Sequence, residues 1–356
     1  MPNGTLTQAI DALASRRDLS ADETAAVLAE IMHGEVSETQ IAGFLIALRT
    51  KGETVDELAG LARTMRALAV HVPTAHDDLL DTAGTGGGRR TFNVSTTAAL
   101  IAAGAGCAVA KHGNRSATSS SGSADVLEAL GARIDLDAQG VAACIERAGF
   151  GFMFAPAHHQ ATRFVVPVRR ELGVRTIFNM LGPLTNPAGA RRQLIGVSDA
   201  GFLDTVAGAL ARLGVDRALV VAGEDGMDEL STAAATKVVE VQGEEISRYT
   251  VAPHDVGVQA ADDARFEHDC AGGEPVENAK LARAIIGGEA VSAGRPGAGE
   301  LAVLNAGAAI YAGGGADSIA AGVEAARAAI AEGRAAETLE RFVQASTSLA
   351  PAEAAG

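Results

Sequence analysis

Cations are scarce in this chain. It carries 29 Lys and Arg against 44 Asp and Glu, a formal charge of -15. Such a balance argues against wholesale binding of nucleic acid or of a membrane, both of which need a basic surface. Cysteine is equally sparse. Cys107, Cys144 and Cys270 lie far apart and form no CxxC pair. That spacing argues against a zinc cage or a disulfide framework, and reduced thiols in the cytoplasm are the expectation. The opening residues Met1-Pro2-Asn3-Gly4 lack a basic patch followed by an apolar run, so no secretion signal is read there. The uncharged stretch 91–110 contains Asn93, Ser95, Thr96 and Thr97 and two glycines, too polar and broken to span a bilayer. Tryptophan is absent, no internal repeat is visible, and no Ser-His-Asp or Cys-His nucleophile can be picked out. The last absence favours chemistry in which a good leaving group does most of the work.

What is present has a clear order. At 356 residues the chain has room for two domains. Residues 1–73 read as three or four short helices. Three starts have capping-box spacing, Ser20 with Glu23, Ser37 with Gln40 and Thr54 with Glu57. From Leu79 onward strand-like and helical runs alternate, which predicts a mostly parallel sheet covered by helices. Residues 165–190 interrupt the alternation with a helical run and the breaker-rich stretch Asn179-Met180-Leu181-Gly182-Pro183-Leu184-Thr185-Asn186-Pro187. This reads as an excursion returning to the N-terminal helices. The expected organisation is therefore a small all-helical domain, 1–73 with 165–190, and a larger α/β domain, 74–164 and 191–348, ending in a tail at 349–356. Runs at 237–242 and 246–251 predict a hairpin, and the last eighty residues read as Ala-rich helices.

Four stretches carry chemistry. Lys111-His112-Gly113-Asn114-Arg115-Ser116 ends an apolar strand and opens onto small polar residues and a helix start, a pattern suited to a phosphate. Gly84-Thr85-Gly86-Gly87-Gly88 follows an earlier strand. It fits neither the dinucleotide fingerprint nor a P-loop, so it is either an anion-binding turn or a plain flexible one. Asn93-Val94-Ser95-Thr96 opens a helix, as an ordinary N-cap or as donors to an anion or metal. Asp228-Glu229 follows a strand and suits Mg²⁺, which favours one or two carboxylates with substrate phosphates. Arg169 offers a planar fork for a carboxylate, although a surface ion pair with Glu171 is as simple. The adjacent His158 and His159 point apart on any regular element, so a metal site there is not expected.

In this order, the glycine loop, Asn93–Thr96, Lys111–Arg115, Asn179–Pro187 and Asp228-Glu229 resemble the anthranilate phosphoribosyltransferase family. The resemblance implies transfer of the phosphoribosyl group of 5-phosphoribosyl-1-pyrophosphate (PRPP) to the amine of anthranilate, in tryptophan biosynthesis. It implies an active site between a helical and an α/β domain of the nucleoside phosphorylase/phosphoribosyltransferase type, Mg²⁺ as cofactor and a homodimer. Neither nucleic acid nor a membrane is implied as partner. PRPP would be met by Gly84, Gly87, Gly88, Thr91, Asn93, Ser95, Thr96, Lys111, His112, Gly113, Asn114, Arg115, Ser119 and Ser123, with Lys111 as the catalytic cation. Ser95, Asp228 and Glu229 would hold Mg²⁺. Gly84, Asn114, His159 and Arg169 would hold anthranilate, with His112 and Pro156 along its entry. One departure stands out: the family usually has Asp where this chain has Gly88, and the loop to Thr91 is one residue short. Two rivals remain, a pyrimidine-nucleoside phosphorylase and a non-catalytic nucleic-acid-binding relative.

Overall fold

The computed structural model describes residues 2–116 and 120–349, so the expected tail lies outside them beyond Leu349. Four helices come first: α1 (Gly4–Ala14), α2 (Ala21–Met32), α3 (Glu38–Lys51) and α4 (Val55–Ala67). Two of the three expected capping boxes close fully, at Ser20 with Glu23 and at Thr54 with Glu57. The third is only half made. Ser37 accepts from Gln40 N, but the Gln40 side chain turns to the backbone of Asn3, tying α3 to the start of α1. A long-range pair of hydrogen bonds outcompetes the local one.

The sheet then builds in alternation. The first part is β1 (Leu80–Gly84), α5 (Val94–Gly104), β2 (Val109–Gly113), α6 (Ser123–Ala129), α7 (Ala138–Ala148) and β3 (Phe150–Phe154). After α8 (Ala155–His158), the excursion holds α9 (Val166–Leu172) and α10 (Phe178–Leu181). The breaker-rich stretch is thus not wholly irregular: it holds a helical turn at its start and a 3₁₀ turn at Gly182–Leu184. The chain returns through β4 (Arg192–Gly196), α11 (Leu203–Arg212), β5 (Arg217–Gly223) and the hairpin β6 (Thr236–Gln242) and β7 (Glu245–Val251). It ends with α12 (Asp263–Cys270), α13 (Pro275–Ile286), α14 (Pro296–Ala312), α15 (Ile319–Ala331) and α16 (Arg334–Ser348).

The seven strands lie in the order β3-β2-β1-β4-β5-β6-β7, parallel from β3 to β5 and antiparallel at β6 and β7. From β1 the chain builds outward to one side and then crosses to the other. The gap beyond the C-terminal ends of β1 and β4 is therefore the switch point where open α/β sheets bind ligands.

Two apolar cores flank the sheet. One joins β1–β3 to α5–α7 and the C-terminal helices. These approach closely because they are built from small residues; a Cβ on Gly307 of α14 or Gly322 of α15 would strike the facing backbone. The other core runs from α1–α4 through Val165, Val168, Ile177 and Leu181 to α11 and one face of β4 and β5. The N-terminal helices share this core with the excursion, and Gly208 of α11 leaves room for Val55 of α4. Among the described residues no helix is long and apolar enough to cross a membrane.

Candidate active site

Lys111 sits near the end of β2, 1 % exposed. Its ammonium donates to Thr82 O at 2.5 Å and lies 3.3 Å from Thr82 Oγ1 and 3.4 Å from Ser95 Oγ. Burial lowers its pKa to about 8, opposed by the charges of Asp81 and Glu229. It therefore remains a cation at neutral pH. Asp81, on β1, is the deep partner. It accepts from His112 N at 3.0 Å and from Asn186 Nδ2 at 2.7 Å, and Asn186 also donates to Ala110 O. Burial pushes the Asp81 carboxyl up while Lys111 and these donors oppose that shift. Asp81 and Asn186 were not among the expected site residues. A charge inside a strand was the available signal for the first; nothing local marks the second.

The Gly223–Glu229 loop lies across the same cleft. Gly84 and Gly196 end β1 and β4 where Asp228 packs against both: a Cβ on Gly84 would lie 2.8 Å from Asp228 Oδ2, and one on Gly196 would overlap Asp228 O. Asp228 Oδ2 accepts from Gly86 N at 2.9 Å. Glu229 Oε2 is buried without a hydrogen-bond partner. Burial pushes the Glu229 carboxyl well above the usual range, and Asp228 and Asp225 raise it further while Lys111 opposes them. Thr82, Ser95, Asp228 and Glu229 line one small cavity between β1, α5, β4 and β5. An orphaned buried carboxylate oxygen beside a second carboxylate and a serine hydroxyl is a set that a divalent cation would complete. Among the described residues no three His, Cys, Asp or Glu side chains form a protein-only metal cage. The donor set thus fits Mg²⁺ shared with phosphates rather than a structural metal.

The helix-cap reading of Asn93 is overturned. Its side chain makes no cap hydrogen bond. It donates to Ser121 O at 3.1 Å and accepts from Ser121 Oγ at 3.0 Å and Asn278 Nδ2 at 2.9 Å, pinning the two phosphate-type loops together. Thr96 is buried behind it with an unpartnered hydroxyl. Thr91 precedes this helix, and its carbonyl abuts Gly272, where a Cβ would overlap it. Gly113 packs on Phe152 and Ser123. Asn114 Oδ1 accepts from Arg115 N at 2.7 Å. The Arg115 guanidinium turns away from the cleft onto Asp125 (2.9 Å) and Glu128 (2.5 Å). Ser119 lies outside the described residues. A Cβ on Gly88 would lie 2.8 Å from Asp228 N and overlap its carboxylate. An Asp side chain could not be placed there without moving the loop.

The remaining residues meet the excursion. His112 Nδ1 lies 3.2 Å from Gly182 O, and His159 Nε2 lies 3.0 Å from Thr185 O. A carbonyl only accepts, so each of these nitrogens carries the proton. The two rings stand 5.1 Å apart, and burial lowers their pKa values to about 3 and about 4. Both are neutral at pH 7. His158 faces elsewhere, toward Val70 O at 3.1 Å. Arg169 on α9 lies over the Phe178 ring, with Nη2 at 3.5 Å from Asn179 Oδ1, and burial lowers its pKa. It is not paired with Glu171.

Comparisons with known proteins identify the family. Residues 76–336 match the a/b domain of the glycosyl transferase family, and residues 7–69 match the helical bundle domain of that family. Anthranilate phosphoribosyltransferase of Chloroflexus aggregans is 50 % identical over 340 residues, covering 95 % of this chain and 97 % of the relative. The crystal structure of the Thermus thermophilus enzyme of the same name aligns with TM-score 0.88 at 44 % identity, covering 95 % of this chain and 99 % of that one. The Saccharomyces cerevisiae enzyme in complex with PRPP and Mg aligns with TM-score 0.86 at 27 % identity, covering 98 % and 99 %. A near full-length match in sequence and in fold does not favour the phosphorylase or the non-catalytic reading, and the chain belongs to the anthranilate phosphoribosyltransferase family.

Proposed function

We propose that the cleft between β1, β2, β4 and the excursion carries out the family's reaction with the residues named above. PRPP and anthranilate give N-(5-phosphoribosyl)anthranilate and pyrophosphate. The C1–O bond to pyrophosphate breaks, a C1–N bond forms on the opposite face, and the amine proton leaves to water or pyrophosphate. An aniline nitrogen is unprotonated at pH 7, so no strong base is needed before attack. Ser95, Asp228 and Glu229 would hold Mg²⁺, and the chemistry it would supply there is neutralisation of charge on the pyrophosphate.

The protein's part is position and charge. Lys111 presents a fixed ammonium to the departing anion. The main-chain N–H of Gly87 in the glycine loop would meet a phosphate. Arg169 takes the anthranilate carboxylate in its fork. Neutral His112 and His159 form a wall that cannot compete as cations for that carboxylate. Orientation of two bound reactants of this kind can contribute about 7–11 kcal/mol. The observation that carries the reading is the Lys111 ammonium in the same cleft as the unpartnered Glu229 carboxylate.

The packing of 165–184 with α1–α4 supports a division into a helical unit, 1–73 with 165–190, and an α/β unit, 74–164 with 191–348. A homodimer formed through the helical unit is supported by exposed Ile46, Val166 and Val174 there. Free thiols at Cys107, Cys144 and Cys270 suit the cytoplasm. The direct test mixes protein, Mg²⁺, PRPP and anthranilate and follows loss of anthranilate fluorescence. Loss that requires all four components is expected. No loss, with cleavage of thymidine by phosphate instead, would reject the reading.

A further inference from the structure

Arg175 is exposed and lies outside every motif named above, yet it reaches the centre of the phosphate loop. Gly173 ends α9 in the left-handed conformation (φ +64), and the chain turns back toward the sheet. The Arg175 backbone is then held from both sides. Its carbonyl accepts from Arg49 Nη1 of α3 at 2.9 Å, and the next residue's N–H donates to Asn179 Oδ1 at 3.0 Å. From this anchor the guanidinium crosses to the glycine loop. Nη1 donates to Gly86 O at 2.6 Å, and Nη2 donates to Thr85 O at 3.1 Å.

Those two carbonyls matter because a peptide unit is planar and trans, so its C=O and N–H point in opposite directions. Holding Thr85 O outward aims Gly86 N–H inward, where it donates to Asp228 Oδ2 at 2.9 Å. Holding Gly86 O outward likewise aims Gly87 N–H inward. A cation on the carbonyl also polarises each peptide and strengthens its N–H as a donor. Gly87 is under Arg175: its φ is +85, and a Cβ there would overlap Nη1. The glycine is needed both for the backbone conformation and for the arginine's approach.

We propose that Arg175 is a positioning residue for the glycine loop, aiming the Gly87 N–H at the substrate's phosphates and holding the Gly86 N–H on Asp228, and that Arg49 transmits the placement of the helical unit to it. The inference rests on the reading of this cleft as a PRPP site. It concerns PRPP and not anthranilate, because both gripped peptides belong to the phosphate loop.

The test measures Kd for PRPP with Mg²⁺ by calorimetry, and KM for both substrates, in Arg175→Ala, Arg175→Lys and Arg49→Ala. Losing a two-pronged charged donor is expected to raise Kd and KM for PRPP about tenfold in Arg175→Ala. Lys holds one carbonyl and not two, so about threefold is expected there. Arg49→Ala should move PRPP in the same direction by a smaller factor. KM for anthranilate and the thermal midpoint should hardly change, since the side chain is exposed. A rise for PRPP below twofold in Arg175→Ala overturns the proposal. So does an equal rise for both substrates accompanied by a lower midpoint, which is the mark of a merely structural contact. Failure of the wild-type protein to bind PRPP at all would instead reject the reading of the cleft.

Discussion

Two groups of buried charge in this molecule use the same residue types to opposite ends. In the helical unit, Glu57 is fully buried and its oxygens are spoken for: they accept from Leu19 N at 3.0 Å, Thr54 N at 2.9 Å and Lys51 Nζ at 3.0 Å. Lys51 in turn reaches Asp18 at 2.7 Å. In the cleft, Glu229 has a buried oxygen with no partner and two carboxylates for neighbours, and Lys111 bonds to Thr82 and Ser95 rather than to an acid. Satisfied buried charge serves as structure. Unsatisfied buried charge costs stability and is kept where a ligand completes it.

The contrast can be broken at either end. Lys111→Met keeps the volume and removes the ammonium, and kcat/KM should fall by the roughly 2.7–4 kcal/mol that one lost charge-stabilising donor costs. Steady-state kinetics decide it; a loss under about threefold, under ~1 kcal/mol, removes Lys111 from the mechanism. Glu57→Ala should act on folding instead. Breaking a buried pair costs about 3–5 kcal/mol, and the low end applies because Lys51 keeps Asp18. Urea titration measures it, and a reduced kcat/KM in the surviving folded protein would contradict a purely structural role for Glu57.

A third check uses pH. His159 has an ordinary value of 6.5 and about 4 when folded. The unfolded chain binds the proton first, so this contribution to stability is complete above pH 6.5 and is lost as pH falls toward 4. The loss is about 2 kcal/mol at pH 5. His159→Gln keeps the hydrogen bond to Thr185 O without titrating, and its unfolding free energy should depend less on pH between 4 and 6.5. Parallel curves for the two proteins would contradict the burial argument. The smallest effect on stability is expected from Glu229→Gln, which removes a buried acidic group from beside Asp228 and Asp225 and should raise the thermal midpoint by an equivalent of about 0.5–1 kcal/mol. A lowered midpoint would mean that the carboxylate is satisfied after all.

Much of this was legible along the chain because it depends on neighbours in sequence. The four N-terminal helices follow from caps such as Ser20 with Glu23, and the alternation after Leu79 foretells the parallel sheet. Lys111 and Asp228-Glu229 stand out because strand ends followed by polar residues are where such sheets bind ligands. The misreadings of Asn93 and Gln40, and the omission of Arg175, share one cause. Asn93 looks like a cap until Ser121 and Asn278 arrive from elsewhere, Gln40 leaves its own helix start for Asn3, and Arg175 resembles any exposed arginine until the glycine loop is brought beneath it. Each outcome turns on a partner between 28 and 185 residues distant.

Local propensity, the spacing of apolar residues and the order of the motifs settle what this chain is: helices first, then an α/β sheet, with phosphate-type turns at the ends of its strands. Which buried charges are matched was decided only in three dimensions. A hydrogen bond or an orphaned oxygen is a relation between atoms a few ångströms apart, and residues so placed are joined by packing rather than by the chain between them.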